Sequence, residues 1–268
     1  MKRLILTGIL VLATGFSGLM AKKKDSDTSQ QAAQQQTPGP HVKSQAEAEA
    51  VQALGRAADP DATIAAAENL LSKFADTEFK DLALLMEARA YQTKGDPAKA
   101  QIFAERCLEA NPKNYQSAML IGELLATHTG EHDFDRDEKL QKAEKYLNDS
   151  IAAAGAAPKP NPAVPDAEWD TAKKQMVAEA HNGLGIVALD RKNYDAAMKE
   201  FDTAFTNDPQ PAYQVRLASA EVSAGKFDDA IAVCDKIMAQ QQLAPQIRQV
   251  AQALRSQALT KKNAGAKQ

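Results

Sequence analysis

A small residue returns at a fixed interval along this chain. Gly55, Ala88 and Gly122 stand 33 and 34 residues apart, and after an interruption Gly185 and Ala218 stand 33 apart. Around each of them apolar residues recur at three- and four-residue steps, the period of one face of a helix. A self-similar period of this length means stacked copies of one supersecondary unit, because a short helix pair buries its apolar face only against neighbouring copies. No alternating run of β-branched residues is long enough to propose a sheet. The chain is therefore read as all-α.

The same register decides the meaning of HNGLGIVALD, residues 181–190, in which Gly183, Gly185 and Ala188 match the G-x-G-x-x-A of a dinucleotide-binding turn. That fingerprint needs a strand running into its first glycine, so that the phosphate meets a helix N-terminus beyond a tight turn. Here the preceding residues Trp169, Ala172, Met176, Val177 and Ala180 carry helical spacing, so the glycines lie inside a helix already under way. Glycine costs roughly 1 kcal/mol in a helix interior. Its presence needs a packing reason, and a tight approach of the second helix to the first supplies one.

After Leu184-Gly185 come Ala188, Tyr194, Ala197, Phe201, Ala204 and Pro209. This resembles the tetratricopeptide repeat, with its L-G-x-x-Y, A-x-x-x-F and closing Pro. It departs from that outline at His181, where a Trp is common, and at Ala188, where a Tyr is common. Partial matches run through Val51, Leu54-Gly55 and Ala58 with Ala67, Leu71 and Phe74; Leu84, Ala88, Tyr91, Gly95, Ala100, Ala104, Cys107 and Pro112; Gly122 with Ala143 and Leu147; and Leu217-Ala218 with Gly225, Phe227, Ala230, Cys234 and Ile237. The resemblance implies a right-handed α-solenoid of helix-turn-helix units over about 48–80, 81–114, 115–154, 166–210 and 211–244, closed by a capping helix over 245–262.

The ends of the chain read differently. Residues 1–21, MKRLILTGILVLATGFSGLMA, have two basic residues, an apolar run broken by small residues and Ala21 before three lysines, the layout of a secretory signal peptide. Leu19 is bulky for a position three before the cleavage point, which leaves a retained N-terminal anchor as the alternative. No cysteine nearby offers a lipid attachment site. Residues 22–43 are rich in Gln, Ser and Lys and too poor in apolar groups to order themselves, so they read as a tether into the repeat domain at 44–262, with 263–268 as a disordered tail. The formal net charge of −3 becomes about −5 once Lys2 and Arg3 leave with the leader, which argues against nucleic acid as a partner.

Two insertions interrupt the period between Gly122 and Gly185. THTGEHDFDRDEK, residues 127–139, lies between the helices of the third unit, and GAAPKPNPAVP, residues 155–165, is proline-rich and cannot be helical. Insertions in repeat proteins project from one face and often carry specific contacts. The first places Asp133, Asp135 and Asp137 at calcium-loop spacing with Glu144 at the twelfth position, but Glu138 stands where the sharp turn needs glycine. Gly130 between His128 and His132 breaks a shared helical face for zinc. No metal or other cofactor is expected.

Catalysis has little to stand on. His181 sits at a helix-packing position without the partners a general base needs, and no serine or cysteine has a nucleophile context. Cys107 and Cys234 fall three units apart, beyond disulfide reach, and are expected as two buried thiols. The resemblance instead implies an interaction scaffold that binds a protein or peptide on a concave face lined by the first helices. The groove-facing positions are Arg89, Gln92, Thr93, Met119, Glu123, Asn182, Asp190, Arg216, Ser219 and Ser223. They do not reproduce the Lys/Asn clamp that chaperone-binding members use for a C-terminal carboxylate. SKFADTEFKDLALLMEARAYQTKGDPAKA, residues 72–100, resembles repeat junctions of bacterial envelope proteins such as the helical lipoproteins of outer-membrane assembly and the periplasmic coordinator of the Tol-Pal system. With the leader, it implies a periplasmic or secreted scaffold in an envelope-associated complex. The alternative is a self-associating or calcium-dependent assembly or ligand-binding protein.

Overall fold

The computed structural model describes residues 40–159 and 163–265; the expected leader, the expected tether up to residue 39 and the expected tail at 266–268 lie outside them. Among the described residues there are eleven helices and no strand: α1 (Gln45–Arg56), α2 (Pro60–Lys73), α3 (Lys80–Thr93), α4 (Pro97–Ala110), α5 (Tyr115–His128), α6 (Arg136–Ala156), α7 (Asp166–Asp190), α8 (Tyr194–Asn207), α9 (Pro211–Ser223), α10 (Phe227–Met238) and α11 (Pro245–Gly265). Each helix packs on the next, and α5 also touches α7, as expected of a stack of helix pairs with one row of first helices.

Local chemistry sets the helix starts. Ser44, Asp59, Asp96, Asn114 and Asn193 each accept a hydrogen bond from a backbone N–H of the first turn, and Pro60, Pro97 and Pro211 open α2, α4 and α9 where no N–H is needed. The turns inside the second, fourth and fifth units share one geometry: Gly95 and Gly225 take φ of 75° and 78°, and Lys192 takes 59° at the equivalent place. In each, the following N–H reaches back to close the helix end: Asp96 to the Tyr91 carbonyl, Asn193 to Ala188 and Lys226 to Glu221. Lys192 is thus a side-chain residue in a left-handed slot. Replacing Lys192 with glycine is expected to raise unfolding free energy by about 0.5–1 kcal/mol in a urea titration. The exposed 3.7 Å pair it makes with Glu131 contributes little to set against this.

The glycines act as contact points. A Cβ at Gly185 would stand 2.6 Å from Cδ1 of Phe201, and one at Gly183 would stand 2.8 Å from Cδ2 of Leu147. A Cβ at Gly122 would meet the same leucine at 2.6 Å. Leu147 of α6 is therefore wedged between glycines on α5 and α7. Ala88, Ala100, Ala197, Ala218 and Ala230 are fully buried, and Leu54 and Leu184 nearly so. Tyr91 is half-buried and stacks on Phe103 with centroids 5.3 Å apart. Tyr194, Leu217 and Phe227 pack at the edges, while Pro209 is exposed in the turn before α9 and serves to end α8.

The first unit departs from the expected register. Gly55 is exposed in the last turn of α1, and Val51 and Leu54 are the residues buried against Ala67 and Leu70. The second helices α4, α8 and α10 start nine residues after Ala88, Gly185 and Ala218, and nine before Pro60 is Val51. Val51 therefore holds the packing position, and the 33-residue step from Gly55 was a coincidence of an alanine-rich helix. The extra residues go into the α2–α3 connection, 74–79, where Thr77 and Phe79 turn inward. That connection also anchors the end of the expected tether: Lys43 Nζ pairs with Asp76 at 2.8 Å and the His41 N–H donates to Glu78 at 2.9 Å. At the other end α11 runs to Gly265, three residues past the expected cap, because Asn263 and Ala264 can continue a helix. It closes the stack against α9 and α10.

Candidate concave binding site

The first helices α3, α5, α7 and α9 line the inner face, and the stack curves enough to bring α3 and α9 to one cleft of about 300 Å³. Gln92 comes from α3, Glu123, Leu124, Thr127 and His128 from α5, Asn182, Gly183 and Ile186 from α7, and Arg216 from α9. Of the ten groove positions read from the sequence, the structure gathers Gln92, Glu123, Asn182 and Arg216 here. Arg89 lies close enough to act electrostatically on Glu123. Thr93 is exposed, its hydroxyl donating to the Arg89 carbonyl, and Ser223 likewise donates to Ser219, which is half-buried. Met119 is instead buried at 8% exposure, so it belongs to the packing. Asp190 sits at the end of α7, where its carbonyl accepts from Arg136 of the first insertion; it is engaged there and not in the cleft.

The charges of the cleft lack the partners that charges usually find. Glu123 is half-buried, and loss of hydration pushes its carboxyl up to about 7, with Glu179 reinforcing the shift and Arg89 and Arg216 opposing it. Glu179 is also raised by lost hydration, opposed by Arg89. Arg89 and Arg216 are both exposed and neither forms an ion pair among the described residues. Crowding by the groove walls nevertheless makes the Arg216 charge less favourable than in water. Tyr213 below it is pushed up by burial with Glu179, Asp208 and Glu123 adding to the effect. The Asn182 carboxamide oxygen is sealed without a hydrogen-bond donor among the described residues.

The first insertion is ordered by its own charges. Lys139 Nζ lies 2.9 Å from both Asp133 and Asp135, the space a bound cation would need. The Gly130 N–H also donates to Asp133, while Asp137 pairs at 3.8 Å with Arg136. His128 Nδ1 is taken by the Leu124 carbonyl at 3.0 Å. Among the described residues no three His, Cys, Asp or Glu side chains are grouped as a metal site. Lys139 thus stands between two of the three aspartates that the calcium spacing would use, and Glu138 holds the place of the turn glycine. Arg136 on the Asp190 carbonyl and Glu131 beside Lys192 dock the insertion onto the end of α7, and Arg191 bonds Glu144 of α6 at 2.5 Å. The insertion leaves Phe134 fully exposed, at 111%.

His181 Nδ1 meets Glu200 at 2.6 Å between α7 and α8, a helix-pair contact. Cys107 and Cys234 are separate, buried thiols, both pushed up to about 11 by burial.

Family models described as tetratricopeptide repeat match residues 83–114, 136–212 and 182–246, together more than half of the chain. A thermophilic TPR protein of Thermus thermophilus is similar in structure, with a TM-score of 0.53 at 21% identity, over 77% of this chain and 95% of that one. MamA of Desulfovibrio magneticus RS-1 superposes with a TM-score of 0.53 at 16% identity, over 72% and 92% of the two chains. No curated protein sequence matches.

Proposed function

Because this chain belongs to the tetratricopeptide-repeat family, whose fold is that of a protein-interaction scaffold, we propose that it binds a peptide or partner protein in the concave cleft around Glu123. The observation that carries this reading is the set of unpaired charges there. Arg216 lines the cleft and Arg89 lies one turn before Gln92 on α3; neither is ion-paired among the described residues, and lost hydration holds the Glu123 carboxyl toward its neutral form. The protein is non-catalytic in this reading, as tetratricopeptide-repeat scaffolds typically are.

The leader at 1–21 and the resemblance of residues 72–100 to envelope-protein repeat junctions support export to the bacterial periplasm or beyond, and a place in an envelope-associated complex. No described helix is long and apolar enough to cross a membrane. N-terminal sequencing of the exported chain checks the leader: a start at Lys22 fits cleavage, and an intact Met1 fits retention as an anchor.

A tagged pull-down from the host's envelope tests the binding face. Wild type is expected to retain one stoichiometric partner, and the Arg89→Glu, Arg216→Glu double variant to lose it, with affinity lower by at least about a hundredfold. Retention by the variant would move the contact elsewhere. The exposed Phe134 favours the first insertion as that second surface, since a lone, fully solvated aromatic on a charge-pinned loop is the kind of anchor that fills a partner's pocket. Phe134→Ala would then release the partner.

A further inference from the structure

Among the second helices we infer a further contact, independent of the concave cleft: a socket between α8 and α10, floored by Glu221, that takes an arginine side chain of a partner protein. The groove encloses about 390 Å³, with α8 and α10 as its walls and Leu217 and Glu221 of α9 between them. Its charge is unbalanced. Asp195 is matched by Lys226 at 3.0 Å, but Asp202 on α8 and Asp229 on α10 form no ion pair among the described residues. Against them stands Lys199 on the exposed rim. Exposed carboxylates alone make only a solvated wall. What marks a site is Glu221, which lines the groove although only 8% exposed, and whose Oε2 is sealed without a hydrogen-bond donor among the described residues.

The repeat does not need a charge at that place. The residue whose carbonyl closes the first helix is Tyr91 in the second unit, Ala188 in the fourth and Glu221 in the fifth. Tyr91 stacks there on Phe103. An apolar side chain would fill the position without leaving a buried carboxylate oxygen short of a donor. A donor brought by a partner removes that deficit, and the walls say which donor fits. It carries positive charge, because Asp202, Asp229 and Glu221 outnumber Lys199. It spreads its N–H groups, because the carboxylates come from three helices and are not grouped as a metal site among the described residues. It gives up hydration readily, because its deepest partner is almost fully buried. A planar guanidinium has both of these last properties, and a compact, strongly hydrated ammonium has neither. The half-buried Met198 and Leu217 supply the apolar surface along which its aliphatic stem lies. The groove is open to solvent above its floor, so the side chain enters while its own backbone stays outside.

Met198 gives the readout, since it lines the groove. The full chain, labelled with carbon-13 at its methionine methyls, is titrated at pH 8, where the Glu221 carboxyl, pushed up to about 7 by burial, is ionised. The probe is a blocked pentapeptide with one central arginine between alanines. Saturable movement of the Met198 signal is expected, with weaker binding of the lysine counterpart. Glu221→Gln keeps the side-chain shape and should weaken binding at least about tenfold. Asp202→Asn with Asp229→Asn, both on the exposed rim, should weaken it about threefold while leaving the fold intact. Glu221→Leu should lose the peptide yet raise the urea midpoint; a lower midpoint would show that the carboxylate serves the fold and would overturn the socket. Equal binding of the lysine peptide overturns the guanidinium. Equal movement with tetramethylammonium, or unchanged binding by Glu221→Gln, reduces the groove to a negative surface. Binding of agmatine without the peptide overturns the partner's side chain in favour of a small guanidine, and no movement of Met198 with either overturns the socket outright.

Discussion

Truncating Phe201 to alanine is expected to lower unfolding free energy by about 3–5 kcal/mol, and adding a single methyl at its neighbour by Gly185→Ala to lower it by about 2 kcal/mol. The phenyl ring is fully buried among Ala197, Ala220, Ile186, Leu189, Met198 and Leu217, so its loss leaves a cavity that helices joined by short turns cannot close. The methyl fails for the opposite reason. At Gly185 it would stand 2.6 and 2.8 Å from Cδ1 and Cζ of the ring and closer still to Cε1, and a ring enclosed on every side has nowhere to retreat. Alanine's better helix propensity returns roughly 1 kcal/mol of that penalty, which is why the net loss is smaller than the truncation.

A double variant separates close approach from a generic helix effect. Phe201→Leu removes ring atoms from the space the methyl needs, so Gly185→Ala should cost little on that background, with a coupling of about 1 kcal/mol or more between the two sites. Urea unfolding of the four proteins, read by far-ultraviolet circular dichroism, measures it. Additive losses, or a neutral Gly185→Ala in the wild type, would show that glycine is not there to admit the ring.

The same glycine marks how far the sequence could be read. Gly185 and Phe201 announced the fourth unit because each position tolerates few residues: a methyl clashes at one and a void opens at the other. Gly183 announced nothing, although it admits Leu147, since its partner lies in the preceding helix pair and outside the repeat outline. In the first unit, small residues are so frequent that Gly55 fitted the period by accident. The sharper local signal was Asp59-Pro60, an N-cap followed by proline, which fixes the start of α2 and with it the packing role of Val51. Helical period placed Arg89, Glu123, Asn182 and Arg216 on first helices. It could not supply the curvature that carries α9 round to α3, and so it missed Glu179, His128, Ile186 and Tyr213. Asp190 was misplaced for a similar reason: only the folded insertion shows Arg136 on its carbonyl. The pairing of Lys139 with Asp135 was legible as a four-residue helical spacing.

Unfolding free energy should fall between pH 5 and pH 8, the reverse of the rise that paired surface carboxylates produce, and Glu87→Gln should remove a large part of that fall. Glu87 of α3 is 1% exposed and neither carboxylate oxygen has a hydrogen-bond partner among the described residues. Burial pushes its carboxyl from 4.5 up to about 7, with Glu68 of α2 reinforcing and Arg106 of α4 opposing. The folded chain thus holds this proton more tightly than the unfolded chain. Its stabilising contribution is complete below pH 4.5 and is lost as pH rises through about 7, after which the folded state carries a buried, unpaired charge. The difference is on the order of 2–3 kcal/mol. Glu221 of α9, also pushed up to about 7 by burial, adds in the same direction. Glu47 is as deeply placed but shifts down, because the Thr77 hydroxyl and the Lys43 N–H bond its ionised form. A carboxamide at position 87 keeps the shape and has no proton to lose. Glu87→Gln should therefore match wild type within about 1 kcal/mol at pH 5 and exceed it by about 2 kcal/mol at pH 8 in urea titrations. Equal stabilities at both pH values would mean that Glu87 stays ionised with a partner in solution, and the shift assigned to its burial would have to be withdrawn.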